Sequence, residues 1–160
     1  MDRQEKKLII LMADDDEDDR MFVRDALRGQ PVDLQCVSDG MELMQYLYCR
    51  GDYKAVRYPR PDLILLDLNM PRKDGRQVLI EIKSDPRLKA IPVIILTTSK
   101  EECDVNECYL HGANCYLVKP MTFDRLVEVL KCFHVYWEDI SALPSIPPPE
   151  SCIEDQPASQ

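Results

Sequence analysis

Leu63-Ile64-Leu65-Leu66-Asp67-Leu68-Asn69-Met70-Pro71-Arg72-Lys73-Asp74-Gly75 is the stretch that decides the fold. Four apolar residues run into a lone carboxylate, and a loop with Pro71 and Gly75 closes the segment. A run of this length bounded by turn residues fits a strand buried on both faces. Asp67 then sits at the strand's carboxyl end, where open parallel sheets place their ligand and reaction sites.

Outward from this stretch, the same pattern recurs. Residues 8–13 form an apolar run that ends abruptly in Asp14-Asp15-Asp16-Glu17-Asp18-Asp19. Met21, Phe22, Ala26 and Leu27 fall on one helical face, predicting a helix over 18–28 that Gly29-Gln30-Pro31 ends. Residues 32–37 make a short strand, and Leu43, Met44 and Leu47 mark the next helix. Residues 51–61 hold two prolines and read as a loop. Val78, Leu79 and Ile82 predict a helix that stops before Asp85-Pro86, because the residue before proline is pushed out of the helical region. Val93-Ile94-Ile95-Leu96 is another buried run ending in Thr97, residues 101–111 form a helix with Gly112 as its cap, and residues 115–118 a last strand before Lys119-Pro120. An amphipathic helix follows from Phe123 to about Trp137, with Leu126, Val127, Leu130 and Phe133 inward. Strands alternating with helices predict an α/β fold, a doubly wound five-stranded parallel sheet covered by five helices. One domain spans residues 1–143. Residues 144–160 are a Pro-, Ser- and acid-rich tail, a composition that cannot bury enough apolar surface to order itself.

Composition excludes several classes. The net charge of −9 over 160 residues argues against nucleic acid and anionic membranes as partners, since both attract a positive field. Seven scattered cysteines, odd in number and never spaced Cys-x-x-Cys, read as reduced core thiols of a cytoplasmic protein. The charged amino end leads into only six apolar residues, so neither a secretory segment nor a membrane span is expected.

A parallel sheet brings Asp14, Asp15, Asp67, Thr97 and Lys119 to one edge. Clustered carboxylates repel, so either their pKa values rise or a cation joins them. A hard divalent ion resolves this, and Mg²⁺ is the usual choice where a phosphoryl group is handled. Its expected ligands are Asp15, Asp14 through water, a carboxylate oxygen of Asp67 and the backbone carbonyl of Asn69. Asp67 is then the candidate nucleophile, Lys119 the counter-charge for phosphoryl oxygens, and Thr97 a hydroxyl donor to one of them. A cis peptide bond before Pro120 is expected to aim the ammonium into the pocket. Asp16 to Asp19 read instead as a helix cap and a solvated first turn. Arg72, Lys73 and Arg76 read as a solvated loop able to guide an acidic partner.

These motifs together resemble the receiver domain of two-component response regulators: the pair Asp14-Asp15, the loop Asp67-Leu68-Asn69-Met70-Pro71 with Asp74-Gly75, Thr97, and Gly112-Ala113-Asn114-Cys115-Tyr116 leading to Lys119-Pro120. The interval from Asp15 to Asp67 is longer than in minimal receivers, with the excess in residues 51–61. That loop, Leu96-Thr97-Thr98-Ser99 and the closing Trp137 to Pro144 are similar to the small regulators paired with cyanobacterial phytochrome-like histidine kinases. The resemblance implies a flavodoxin-like fold, a stand-alone receiver accepting a phosphoryl group on Asp67 from a phytochrome-like sensor kinase, and a homodimer formed through helix four, strand five and helix five. Tyr116 reads equally as a core aromatic and as a rotamer switch behind Thr97. Two rivals remain: a phosphohydrolase of the haloacid-dehalogenase type, and an interaction module that kept the fold without phosphate chemistry. The first needs a second acid two residues beyond the nucleophile, where this chain has Asn69, so the expectation is a signalling acceptor and not an enzyme.

Overall fold

The computed structural model describes residues 6–54 and 58–145. Its sheet holds five strands in the order β2-β1-β3-β4-β5, every neighbouring pair parallel. These are β1 (Leu8–Ala13), β2 (Val32–Val37), β3 (Leu63–Leu66), β4 (Val93–Thr97) and β5 (Cys115–Val118). Between and after them lie α1 (Glu17–Ala26), α2 (Gly40–Leu47), α3 (Gly75–Ser84), α4 (Glu102–Leu110) and α5 (Phe123–His134). The predicted α/β architecture is the observed one, with boundaries moved by a residue or two.

Alternation of side chains across the pleat divides the core. Leu11, Ala13, Ile64, Leu66, Val93 and Ile95 face α2 and α3, together with Cys108 of α4. Ile10, Met12, Leu63, Leu65, Ile94 and Leu96 face α1 and α5. All four residues of β3 are fully buried, which is why that stretch carries no polar residue until the strand ends. Burying each such side chain contributes about 1.5–3 kcal/mol before the entropy of ordering is subtracted.

Local chemistry sets the helix starts. Asp16 accepts from the backbone N–H groups of Asp18 and Asp19, Asp39 from Glu42 and Thr122 from Arg125, while Asp74 and Gln77 form a reciprocal capping box. Gly29 turns the chain after α1 at φ +84°, and Gly112 follows α4 at φ +98°.

Several expectations need correction. The last helix does not stop at Trp137: α5 passes into a π-helical turn, Val135–Ile140, closed by the Ser141 N–H donating to Tyr136 O at 2.7 Å. The turn keeps Trp137 against the core beside Phe133, with ring centroids 6.4 Å apart. No peptide bond among the described residues is cis, so the cis bond expected before Pro120 is absent. Trans is the lower-energy form, and the lysine side chain is long enough to reach the pocket from it. Of the cysteines, Cys36, Cys103, Cys108, Cys115 and Cys132 are free thiols, but Cys103 and Cys132 are exposed and Cys49 is disulfide-bonded. The expectation of uniformly reduced core thiols therefore fails. Cys49 lies half-buried just beyond α2. Cys152 and the tail from residue 146 onward lie outside the described residues. The described parts of the 51–61 segment, residues 51–54 and 58–61, hold neither helix nor strand, as expected, and are pinned by tyrosines: Tyr46 donates to Pro59 O at 2.8 Å, and the rings of Tyr46, Tyr53 and Tyr58 pack together.

Candidate functional site

Strand register builds the site. Ala13 of β1 is paired with Leu66 of β3, so the residues that follow them, Asp14 and Asp67, emerge side by side. The Asp67 N–H donates to Ala13 O at 3.0 Å, which ties the two strand ends together. This is the point where the strand order reverses, β2 lying to one side of β1 and β3 to the other. Val118 of β5 is paired with Thr97 of β4, and the Lys119 N–H donates to Thr97 O at 2.7 Å. Lys119 is thereby launched toward the carboxylates from the neighbouring strand.

Carboxylate oxygens of Asp14, Asp15 and Asp67 all lie within 4.8 Å of one another. Asp14 has no exposed surface and Asp67 is buried, while Asp15 stands open to solvent. Lys119 Nζ is 2.6 Å from Asp14 Oδ2, 2.7 Å from Asp19 Oδ2 and 3.2 Å from Asp67 Oδ2. Lys119 is the one group among the described residues that holds Asp14 Oδ2, at 2.6 Å, and that oxygen has no further donor. Burial pushes the Asp14 carboxyl up to about 6, against the opposing pull of Lys119 and of the Asp16 N–H. Burial alone would lower Lys119, but its bonds to Asp14 and Asp19 and the field of Asp67 outweigh it and hold the ammonium above the ordinary lysine range.

Thr97 is fully buried, and its Oγ1 has no hydrogen-bond partner among the described residues. An orphaned hydroxyl at a strand end costs about 1–3 kcal/mol and calls for an explanation. Tyr116 packs against the core from its half-buried position and donates its hydroxyl to Ser99 O at 2.9 Å. Asn69 is exposed in the loop beyond Asp67. The turn is tight because Gly75 comes so close to it: a Cβ there would stand 2.0 Å from Asp67 O and 2.8 Å from Leu68 Cα.

The structure thus brings Asp14, Asp15, Asp67 and Lys119 together, with Thr97 on the adjoining strand end. It also adds residues that sequence reasoning missed. Asp19, read as solvated, holds Lys119 from the first turn of α1. Arg72, Lys73 and Arg76 are not a free solvated loop. Arg72 pairs with buried Asp39 at 2.5 Å, Lys73 pairs with Glu81, and Arg76 joins Asp74 to Asp104.

A sheet of this order with two acids, a third acid and a lysine at its switch point defines a receiver domain. Residues 10–131 match the family model of the response regulator receiver domain, and the chain belongs to that family. Among its relatives, response regulator Rcp1 of Synechocystis sp. is 41% identical over 129 residues, which are 79% of this chain and 86% of Rcp1. The crystal structure of the phosphorylated cyanobacterial phytochrome response regulator RcpA superposes with a TM-score of 0.80 at 42% identity, covering 87% of this chain and 99% of that one. The Mn²⁺-bound form of Rcp1 gives 0.76 at 40% identity, covering 86% and 99%. The receiver fold and the likeness to the Rcp1 and RcpA type are what the sequence motifs led one to expect. No helix among the described residues is long and apolar enough to cross a membrane.

Proposed function

We propose that this chain is a stand-alone receiver that accepts a phosphoryl group on Asp67 from a phytochrome-like sensor histidine kinase, and that it is a signalling acceptor rather than an enzyme. The observation that carries this reading is Lys119 Nζ 3.2 Å from Asp67 Oδ2, inside a cluster where Asp14 and Asp15 crowd the same carboxylate. Three acids around one ammonium, with Asp15 clustered beside two of them, leave excess negative charge that a hard cation would offset. Asp14, Asp15 and Asp67, with the carbonyl of Asn69, are the residues that would hold Mg²⁺. When bound, the ion supplies positive charge against the entering phosphoryl oxygens.

A carboxylate oxygen of Asp67 attacks phosphorus, and the bond from phosphorus to the donor's histidine nitrogen breaks, leaving an acyl phosphate. Lys119 neutralises a phosphoryl oxygen from its place beside Asp67. The Thr97 hydroxyl, unpartnered beforehand, gains an acceptor, which explains why the fold tolerates it. Tyr116 follows Thr97 as the carrier of the change toward the surface of α4, β5 and α5, through which two copies associate. Asn69 stands where a phosphohydrolase would carry its acid, so the acyl phosphate persists long enough to signal. The kinase's ATP-dependent domains are cytoplasmic, and so is this chain on the same reading. RcpA is named as a cyanobacterial phytochrome response regulator, which supports the choice of partner.

The test is intact-mass spectrometry after incubation with Mg²⁺ and acetyl phosphate. One hydroxylamine-labile phosphoryl adduct is expected on the wild-type chain and none on Asp67→Asn. The same adduct on the variant would overturn the assignment, and fast multiple-turnover phosphate release would favour the phosphohydrolase. Phosphotransfer from a panel of purified histidine kinases then identifies the partner.

A further inference from the structure

Arg76, in the first turn of α3, has no part in the chemistry above, yet its guanidinium bridges two acids. One arm of its guanidinium donates to Asp74 Oδ2 at 3.2 Å and the other to Asp104 Oδ1 at 2.6 Å. The second oxygen of Asp104 accepts from Ser99 Oγ at 2.6 Å, and Ser99 O accepts the Tyr116 hydroxyl at 2.9 Å. The chain of bonds therefore runs from α3 through α4 to the loop after β4 and ends on Tyr116.

Its first anchor is rigid. Asp74 caps α3 by accepting from the Arg76 N–H at 2.7 Å, and the Gly75 N–H donates to Leu68 O at 2.9 Å. Gly75 is jammed against the carbonyl of Asp67, so the first turn of α3 moves with Asp67 or not at all. The far end has no such rigidity. Glu101 precedes α4 without a side-chain cap, and the first turn of α4 is tied to α3 by the ion pair of Asp104 with Arg76. Arg76 and Asp104 are also largely shielded, with side chains 25% and 17% exposed, so the pair is screened less than a surface bridge. The hydrogen bond from Ser99 and the Arg76 guanidinium hold the Asp104 carboxyl below the usual carboxylate range.

We propose that Arg76 and Asp104 are positioning residues that fix the Ser99 carbonyl where it accepts the Tyr116 hydroxyl, and so hold the Tyr116 ring against the core in register with the Asp67 loop. The proposal rests on Asp67 as phosphoacceptor and adds how its loop is wired to Tyr116. Without the latch, Ser99 and the unanchored start of α4 can shift independently of α3, and the Tyr116 hydroxyl loses its fixed acceptor. Phosphorylation then has to pay for ordering that the latch supplies in advance, and by reciprocity the ring is less well held.

The experiment is acetylation of tyrosines by N-acetylimidazole on the full chain, mapped by peptide mass spectrometry, alongside the rate of Asp67 phosphorylation by acetyl phosphate and Mg²⁺. In Arg76→Gln and in Asp104→Asn, Tyr116 should react about fivefold faster than in the wild type, the low end of typical coupling between sites. Tyr136, on the far helix, should be unchanged as an internal control. Ser99→Ala should reproduce the effect, and the Arg76→Gln, Asp104→Asn double variant should be no worse than either single one, since both break one chain of bonds. Phosphorylation of Asp67 should slow by a similar factor. Tyr116 reactivity equal to wild type in both single variants would overturn the latch. A wild-type chain that takes no phosphoryl group would overturn the functional reading instead, and the Tyr116 comparison would still decide the latch.

Discussion

Lys119 is one ammonium among Asp14, Asp19 and Asp67, so the site carries more negative charge than it can neutralise internally. Asp14 bears the largest cost because it has no exposed surface at all. Two unit charges 4 Å apart interact by about 4 kcal/mol at an effective dielectric of 20, so each excess carboxylate is a substantial burden on the fold. Removing one partner of an isolated buried pair would strand the other charge, but Lys119 keeps Asp19 and Asp67 when Asp14 is neutralised. Asp14→Asn should therefore stabilise the protein in a divalent-free buffer by about 1 kcal/mol, a gain typical of relieving a functional site. The same variant should lose the rise in melting temperature that Mg²⁺ gives the wild type. Thermal unfolding with EDTA and with Mg²⁺ measures both. A variant less stable than wild type without divalents would mean that the ion pair with Lys119 outweighs the repulsion.

At the scale of elements, the strands were legible and the ties between helices were not. β1, β3 and β4 are short apolar runs buried on both faces, and that burial writes itself into consecutive residues. Asp14, Asp67 and Lys119 were legible because each directly follows a strand, and Thr97 because it ends one. Asp19 was not, because its role depends on where the fold places the first turn of α1 relative to Lys119. The contact between Arg76 and Asp104 joins residues of different helices, and no local pattern records it. The π-helical turn after α5 was also hidden, since it arises from how Trp137 is seated on the core. The link between α3 and α4 has a pH signature. The folded-state pKa of Asp104 is depressed, so its contribution to stability is fully present above the ordinary carboxylate value of 3.8 and is lost as pH falls below it. Arg76→Gln removes one cause of that depression. Urea unfolding at neutral pH and at pH below 3.8 should show a smaller loss of stability on acidification in Arg76→Gln than in the wild type. Equal losses would mean that the pair contributes nothing beyond its hydrogen bond to Ser99.

For the whole molecule, one group of exposed apolar side chains lies on α4, β5 and the turn after α5, apart from those at Met21, Phe22, Met41, Ile80, Met121 and Phe123. Tyr109 and Leu110 end α4, Val118 ends β5, and Val135, Tyr136 and Ile140 follow α5, with Leu110 85% and Ile140 70% exposed. A groove of about 600 Å³ lined by Cys115, Leu117, Cys132, Tyr136 and Trp137 continues the same side. β5 is an edge strand, and apolar surface gathered along an edge favours association over solvation. This is the face through which the family resemblance implies a homodimer. α4 already carries Glu102, Asp104 and Glu107, so a further acid at its exposed end would both remove apolar contact and add repulsion between copies. Leu110→Glu should weaken self-association of the phosphorylated protein at least about tenfold, equivalent to about 1.4 kcal/mol. Phosphorylation of Asp67 by acetyl phosphate should be unaffected, since Leu110 lies at the end of α4 remote from the carboxylates. Sedimentation velocity across a concentration series, with and without the phosphodonor, measures the first, and intact mass the second. An unchanged dimer constant in Leu110→Glu would place the contact on another face, and a dimer equally strong without phosphorylation would remove association as the output of the switch.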